Sequence, residues 1–147
     1  VKQPMQNIVI KTADVNHIPV IQALYSEYAP KTFSFEEIKK CLTGWPSAVV
    51  FDGEEAIGFG YSTRFAPDIL ELCNLFVKRA YRSLGVGAKL IKFIEDRSRA
   101  DFSGIVLVNS FTHATHETKR SAKNFYLKNG YKLILSTGKS EVFGKTW

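Results

Sequence analysis

Arg82-Ser83-Leu84-Gly85-Val86-Gly87 is where residue type and spacing first point to chemistry. A strand-like run, Leu70-Glu71-Leu72-Cys73-Asn74-Leu75-Phe76-Val77, precedes it, and a helix-like run from Ala88 to Arg99 follows. A glycine-bearing turn between a strand and a helix gathers backbone N–H groups that have no intrahelical acceptor, with the positive end of the helix dipole behind them. Such a concavity binds an anion, phosphate or pyrophosphate above all. Gly85 and Gly87 let the backbone approach that anion with no Cβ in the way. Ser83, Leu84, Val86 and Ala88 would contribute through their N–H groups, so their side chains say little. Arg82 either pairs with a phosphate oxygen or is a solvated loop arginine. The spelling excludes two familiar phosphate loops. Leu90 stands where a dinucleotide fingerprint needs its third glycine, and no acidic residue sits at the expected later strand end. The P-loop order, Gly, four residues, then Gly-Lys-Ser/Thr, is also absent.

The Arg-x-x-Gly-x-Gly spelling resembles the acetyl-CoA signature of the Gcn5-related N-acetyltransferase (GNAT) family. A second segment, Ser121-Ala122-Lys123-Asn124-Phe125-Tyr126-Leu127-Lys128-Asn129-Gly130-Tyr131, resembles that family's late helix, Ala-x-x-aromatic-Tyr-x-Lys-x-Gly-aromatic. The two segments stand in the family's order and at its usual separation. The similarity runs from about Asp68 to Leu135, and the rest follows by pattern. The resemblance implies transfer of an acetyl group from acetyl-CoA, a cosubstrate, directly to an amine, with no metal. It also implies that the strand before the anion loop and the strand after its helix splay apart, and that the gap takes the pantetheine arm like an extra strand. The backbones of Leu75, Phe76 and Val77 would then pair with the pantetheine amides, one N–H polarising the thioester carbonyl as an oxyanion donor.

Within that frame Tyr126 is the expected general acid, because the departing thiolate needs a proton and a phenol near pKa 10 can supply one. The other reading is a core aromatic packed on Phe125 and Tyr131. Glu71 is the expected base. An amine is mostly protonated at neutral pH, so something must remove a proton first, and some relatives use waters in place of a carboxylate. Asn124 bonds either to the pantetheine arm or to Tyr126, or is a helix-surface residue. Cys73 would share a face with Glu71 on a regular strand, and reads as a small buried hydrophobe rather than as an acyl carrier. Lys119 stands where many relatives carry an asparagine that touches CoA, which puts that contact in doubt. His113 and His116 lack the cysteine or carboxylate partners that a metal site needs, and Glu117 beside them reads as a cap. Tyr25, Tyr28, Phe33, Trp45, Tyr61 and Phe65 fall in segments that line the acceptor side in relatives.

The elements that must position these residues can be read in turn. Asn7 to Thr12 reads as a strand, and Asp14 as the N-cap of a helix from about Val15 to Tyr28, with Pro19 a mild objection. Ser34-x-x-Glu37 spells a capping box for a second helix ending near Gly44-Trp45-Pro46. Ser47 to Phe51 and Ala56 to Phe65 flank an acidic turn as a hairpin. Ile69 to Val77 is the strand before the loop, and Leu84 to Asp101 the helix after it. Ile105 to Phe111, almost continuously apolar, predicts an inner strand buried on both faces. Thr118 to Asn129 is a helix stopped by Gly130, and Tyr131 to Thr137 and Ser140 to Trp147 close the sheet. The order β-α-α-β-β-β-α-β-α-β-β is that of the GNAT mixed α/β sheet, over residues 1–147 as a single domain.

The 147 residues are enough for one substantial core, and 45% hydrophobic with 23% charged residues argues against disorder. No apolar run approaches the length of a membrane span, and no basic-then-apolar leader is present. Two cysteines without Cys-x-x-Cys spacing fit a reducing cytosol, so a cytoplasmic location is expected. A net charge of +6 suits an anionic ligand such as CoA. The basic residues are spread along the chain, not interleaved with aromatics, which argues against a nucleic-acid surface. The competing function class is an acyl-CoA-binding regulatory module with little or no turnover. The acceptor amine is not readable, and a homodimer is compatible with the sequence.

Overall fold

The computed structural model describes residues 7–27, 34–110 and 116–147, with the side chains of 116–120 left aside. The elements run β1 (Ile8–Lys11), α1 (Ile18–Ser26), α2 (Phe35–Leu42), β2 (Ser47–Asp52), β3 (Glu55–Ala66), β4 (Ile69–Val77), α3 (Val86–Ser98), β5 (Gly104–Ser110), α4 (His116–Lys128), β6 (Lys132–Ser136) and β7 (Ser140–Thr146). The strands form one sheet ordered β1-β2-β3-β4-β5-β7-β6. Only β4 and β5 run parallel, the crossover between them being α3.

Local chemistry starts the helices where the spelling predicts. Ser34 Oγ accepts from Glu37 N at 3.2 Å and Glu37 Oε1 accepts from Ser34 N at 3.1 Å, closing the capping box of α2. Asp14 also caps, but a 3-10 turn over Val15–His17 precedes α1. Pro19 therefore falls in the first turn of α1, where its missing N–H costs nothing. At the end of α4, Gly130 takes φ +90°. Tyr131 N donates to Tyr126 O and Gly130 N to Leu127 O, the two bonds of a Schellman stop.

Helices cover the sheet unequally. α3 lays Val86, Leu90, Ile91 and Ile94 on one face against Leu70, Leu72 and Ile105, each side chain contributing about 2 kcal/mol by its burial. Helices α1 and α2 cover the opposite face over β2–β4, through Ile18, Ile21, Leu24 and Ile38 on Phe59 and Tyr61. That second cover stops before β5. The expectation that β5 is buried on both faces is therefore wrong: Ile105 and Leu107 are buried, but Val108 is 53% exposed. β5 is an inner strand with one bare side there, because among the described residues no helix lies over it.

Two irregularities of β4 matter most. First, the pairing with β3 steps from Tyr61↔Asn74 to Ser62↔Leu72, which leaves Cys73 as the extra residue of a β-bulge. A bulge breaks the two-residue alternation. Leu70 and Leu72 face α3, and after the bulge so do Leu75 and Val77. Consecutive Cys73 and Asn74 both reach the α2 face. Second, β4 pairs with β5 only from Ile69↔Gly104 to Glu71↔Val106. Both strands continue past that point without pairing to each other, so the predicted splay is present.

Candidate active site

Beyond Glu71, the β5-facing edge of β4 runs on through Val77 with no ladder partner among the described residues. At about 3.3 Å per residue, those six residues give roughly 20 Å of strand edge. The peptide groups of Leu75, Phe76 and Val77 lie along it. The loop after β4 is folded back onto the end of this gap. Arg82 Nε donates to Val77 O at 2.9 Å, and its guanidinium lies 5.6 Å from the Phe76 ring centroid. Arg82 is therefore tied to the end of β4 while remaining exposed to solvent.

The turn itself is built for its backbone. Ser83 has φ +64° and Gly85 +86°, two left-handed residues that turn the chain sharply into α3. Gly85 is the N-cap and supplies no side-chain bond to the helix. The first backbone bond of the helix is Lys89 N to Gly85 O, so the N–H groups of Val86, Gly87 and Ala88 have no intrahelical acceptor. The side chains of Ser83 and Leu84 are exposed, and that of Val86 is anchored in the core at 2% exposure. Gly87 has a second reason to be glycine. A Cβ there would meet Phe125 Cε1 at 3.0 Å and Cζ at 3.2 Å, so α4 closes tightly over the start of α3.

That contact sets the late helix against the start of α3. The Tyr126 ring packs on Phe125 and Phe143 at 5.3 Å and on Tyr131 at 6.0 Å. Its hydroxyl has no hydrogen-bond partner among the described residues, and burial pushes the phenol up to about 12. Asn124 is exposed on α4. The end of α4 is pinned from below by a buried carboxylate that the sequence did not single out. Glu95 accepts from Tyr131 Oη at 2.8 Å and from Lys145 Nζ at 3.1 Å, and Lys145 also donates to Asn129 O at 3.0 Å. Farther along, Lys123 Nζ lies 3.9 Å from Oε2 of Glu141, itself buried on β7.

On the opposite face a cavity of about 220 Å³ opens between α2 and the β4 bulge, lined by Glu37, Cys41, Tyr61, Cys73 and Asn74. Asn74 Nδ2 donates to Tyr61 Oη at 2.7 Å. Burial drives the Tyr61 phenol well above its ordinary value. The Cys73 thiol donates to Glu71 O at 3.7 Å and shares the cavity lining with Cys41. The neighbouring Cys73 side chain holds Cys41 down to about 7, against burial and the Glu71 carboxylate, which push it up. Cys73 is pushed up by the neighbouring Cys41 side chain and by burial. Glu71 thus acts electrostatically on both thiols from beside the cavity. Sequence reasoning named Glu71, Tyr61 and Cys73 but missed Cys41 and Asn74, and saw Glu37 only as a cap. The bulge and the α2 contact that join them leave no local signal.

Of the aromatics expected on the acceptor side, Tyr61 lines the cavity and Tyr25 packs on Phe59 beside it. Trp45 instead packs on Phe102, and Phe65 is 60% exposed. Tyr28, Phe33 and His113 lie outside the described residues, as do the side chains of His116, Glu117 and Lys119. Among the described residues, no three His, Cys, Asp or Glu groups could hold a metal ion.

The architecture is shared with solved structures. Ard1 from Thermoplasma volcanium superposes with a TM-score of 0.79 at 13% identity, over 95% of this chain and 97% of that one. The PaiA N-acetyltransferase from Thermoplasma acidophilum, in complex with coenzyme A, gives 0.79 at 16% identity, over 97% and 100%. Naa50 from Arabidopsis thaliana, in complex with a bisubstrate analogue, gives 0.77 at 14%, over 95% and 99%. At these identities the likeness is one of fold. No curated protein matches the chain significantly in sequence. The sequence profile of the acetyltransferase (GNAT) domain matches residues 45–133. That stretch holds the bulged strand, the capless helix start and the late helix, and it spans more than half of the 147 residues, so the chain belongs to the GNAT acetyltransferase family.

Proposed function

We propose that the chain is an acetyl-CoA-dependent N-acetyltransferase acting on an amine of a small molecule or peptide, its 147 residues working as one catalytic domain. The observation that carries this reading is the end of β4–β5 pairing after Glu71, with a capless helix N-terminus tied to the far end of the gap. The residues fit the cosubstrate. Donors at Val86, Gly87 and Ala88, with the neighbouring Ser83, Leu84 and Gly85 backbone and the Arg82 guanidinium, suit its pyrophosphate. The Leu75–Val77 edge suits its amides. Acetyl-CoA, when bound, supplies the acetyl thioester as electrophile.

Glu71 removes a proton from the acceptor ammonium, with Glu37 at the cavity adding to the negative potential that attracts a cation. A backbone N–H of the β4 edge stabilises the charge that develops on the carbonyl oxygen. Tyr126 keeps its proton on Oη throughout the neutral range and donates a hydrogen bond to the departing sulfur. Complete transfer is uphill, because a thiol titrates at about 8.5 and this phenol at about 12. The cavity on the α2 face favours turnover over a binding module, which needs no acceptor space. Among the described residues, no helix is long and apolar enough to cross a membrane. Release of free thiol from acetyl-CoA across a panel of amines and N-terminal peptides tests the reading. Acetyl-CoA should also raise the melting temperature far more than ATP does. Stabilisation by acetyl-CoA with no thiol released for any acceptor would favour the regulatory module.

A further inference from the structure

The α2-face cavity holds two thiols for which direct acetyl transfer has no use. Cys41 sits in the last turn of α2 and Cys73 is the bulge residue of β4, so the two come from elements on opposite sides of the cavity. Their side chains both line the cavity, and neither is fully buried. They are also the chain's only cysteines. We propose that this pair is an oxidation site, at which a hydroperoxide converts Cys41 and Cys73 to an intramolecular disulfide that ties α2 to the β4 bulge and closes the cavity to the acceptor. The closure rests on the reading of this face as the acceptor side; the oxidation does not.

The chemistry balances with hydrogen peroxide as oxidant. The Cys41 thiolate attacks one peroxide oxygen; an S–O bond forms, the O–O bond breaks, and the leaving hydroxide takes up the thiol's proton as water. The Cys73 sulfur then attacks the sulfenic sulfur; the S–S bond forms, the S–O bond breaks, and hydroxide leaves with the Cys73 proton as a second water. Two thiols lose two electrons and two protons, and the peroxide is reduced to two waters. The roles follow from the surroundings of each thiol. Cys73 Sγ donates to Glu71 O at 3.7 Å, which makes Cys73 the protonated partner that resolves the intermediate, and Cys41 is left as the attacking sulfur, its thiol held below the ordinary range. A sulfenic acid formed at Cys41 has its resolving thiol in the lining of the same cavity. No second copy of the chain is required.

The test treats the reduced full-length protein with stoichiometric hydrogen peroxide and reads thiols, mass and kinetics separately. The expected result is loss of both titratable thiols, a monomer lighter by two hydrogens, and a cross-linked peptide joining Cys41 to Cys73. The acceptor kcat/KM should fall more than about tenfold and return with dithiothreitol. Cys41→Ser and Cys73→Ser should each form no intramolecular link, and each should lose less of its own reduced activity to the same dose. Independent oxidation of the two sulfurs to sulfinic acids, or a disulfide-linked dimer, overturns the proposal. An intramolecular disulfide that leaves acceptor kinetics unchanged overturns the closure. The mass and thiol readouts stand even for a protein without transferase activity, so failure of the site and failure of the enzyme reading are told apart.

Discussion

Tyr126→Phe removes one hydroxyl and leaves the ring, which isolates the role proposed for the phenol. The ring contacts with Phe125, Tyr131 and Phe143 survive the change. The hydroxyl has no partner among the described residues, so folding stability should change by less than about 0.5 kcal/mol, where loss of a typical hydrogen bond costs about 1 kcal/mol. Catalysis should suffer more. A hydrogen bond donated to a charged group is worth about 1.5–3 kcal/mol, which is roughly a 10- to 150-fold fall in kcat. A fully transferring general acid can contribute about 10⁴-fold; a phenol held at about 12 belongs at the lower end. The assay follows thiol release at saturating acetyl-CoA, with KM for acetyl-CoA measured separately and thermal unfolding recorded for both proteins. The expected result is a fall in kcat within that range, KM changed by less than about twofold, and a melting temperature within about 2 °C of wild type. Alkaline unfolding adds a check whose sign is fixed. Burial raises the phenol in the folded state, so the unfolded chain gives up this proton first; the stabilisation is whole below about pH 10 and is lost as pH rises through about 12. Wild type should therefore lose stability faster than the Phe variant across that window. An unchanged kcat would refute the reasoning and leave Tyr126 a packing residue.

Glu71→Gln should depress activity chiefly at lower pH, where deprotonation of the amine is limiting; an unchanged pH–rate profile would assign that proton to a water relay. Gly87→Val must displace Phe125 from 3.0 Å, at a cost of about 1–3 kcal/mol and some 3–10 °C in melting temperature. It should also abolish stabilisation by acetyl-CoA, and a variant still stabilised would remove the loop from the binding site. Glu95→Gln leaves Lys145 Nζ without its carboxylate beneath α4. With Lys145 a quarter exposed, the loss should be about 2–4 kcal/mol, read by chemical denaturation, and a change below about 1 kcal/mol would show that the network does not hold the helix.

The features legible in the sequence are those whose causes lie within a few residues. The Asp14 cap, the Ser34 capping box and the Gly130 stop are each satisfied by groups two to five positions away, so their spelling and their structure coincide. β4 was expected over Ile69 to Val77 and occupies those residues. The anion loop was likewise readable, because a glycine turn before a helix exposes its N–H groups whatever lies around it.

Tertiary structure decided the rest, for the reason that hydrogen-bond registers and helix cover are set between segments far apart in the chain. The bulge at Cys73 exists only in the register of β4 against β3, and it alone turns Cys73 and Asn74 to one face. The meeting of Cys73 with Cys41 needs α2 laid across that face. Glu95 reads as one more helix carboxylate until Tyr131 and Lys145, 36 and 50 residues away, close on it. The apolar run of β5 suggests burial on both sides, but α1 and α2 end over β4, and Val108 is left bare. Gly87 was legible as a glycine that admits an anion; that it must also admit Phe125 depends on where α4 packs, and no local spelling encodes that.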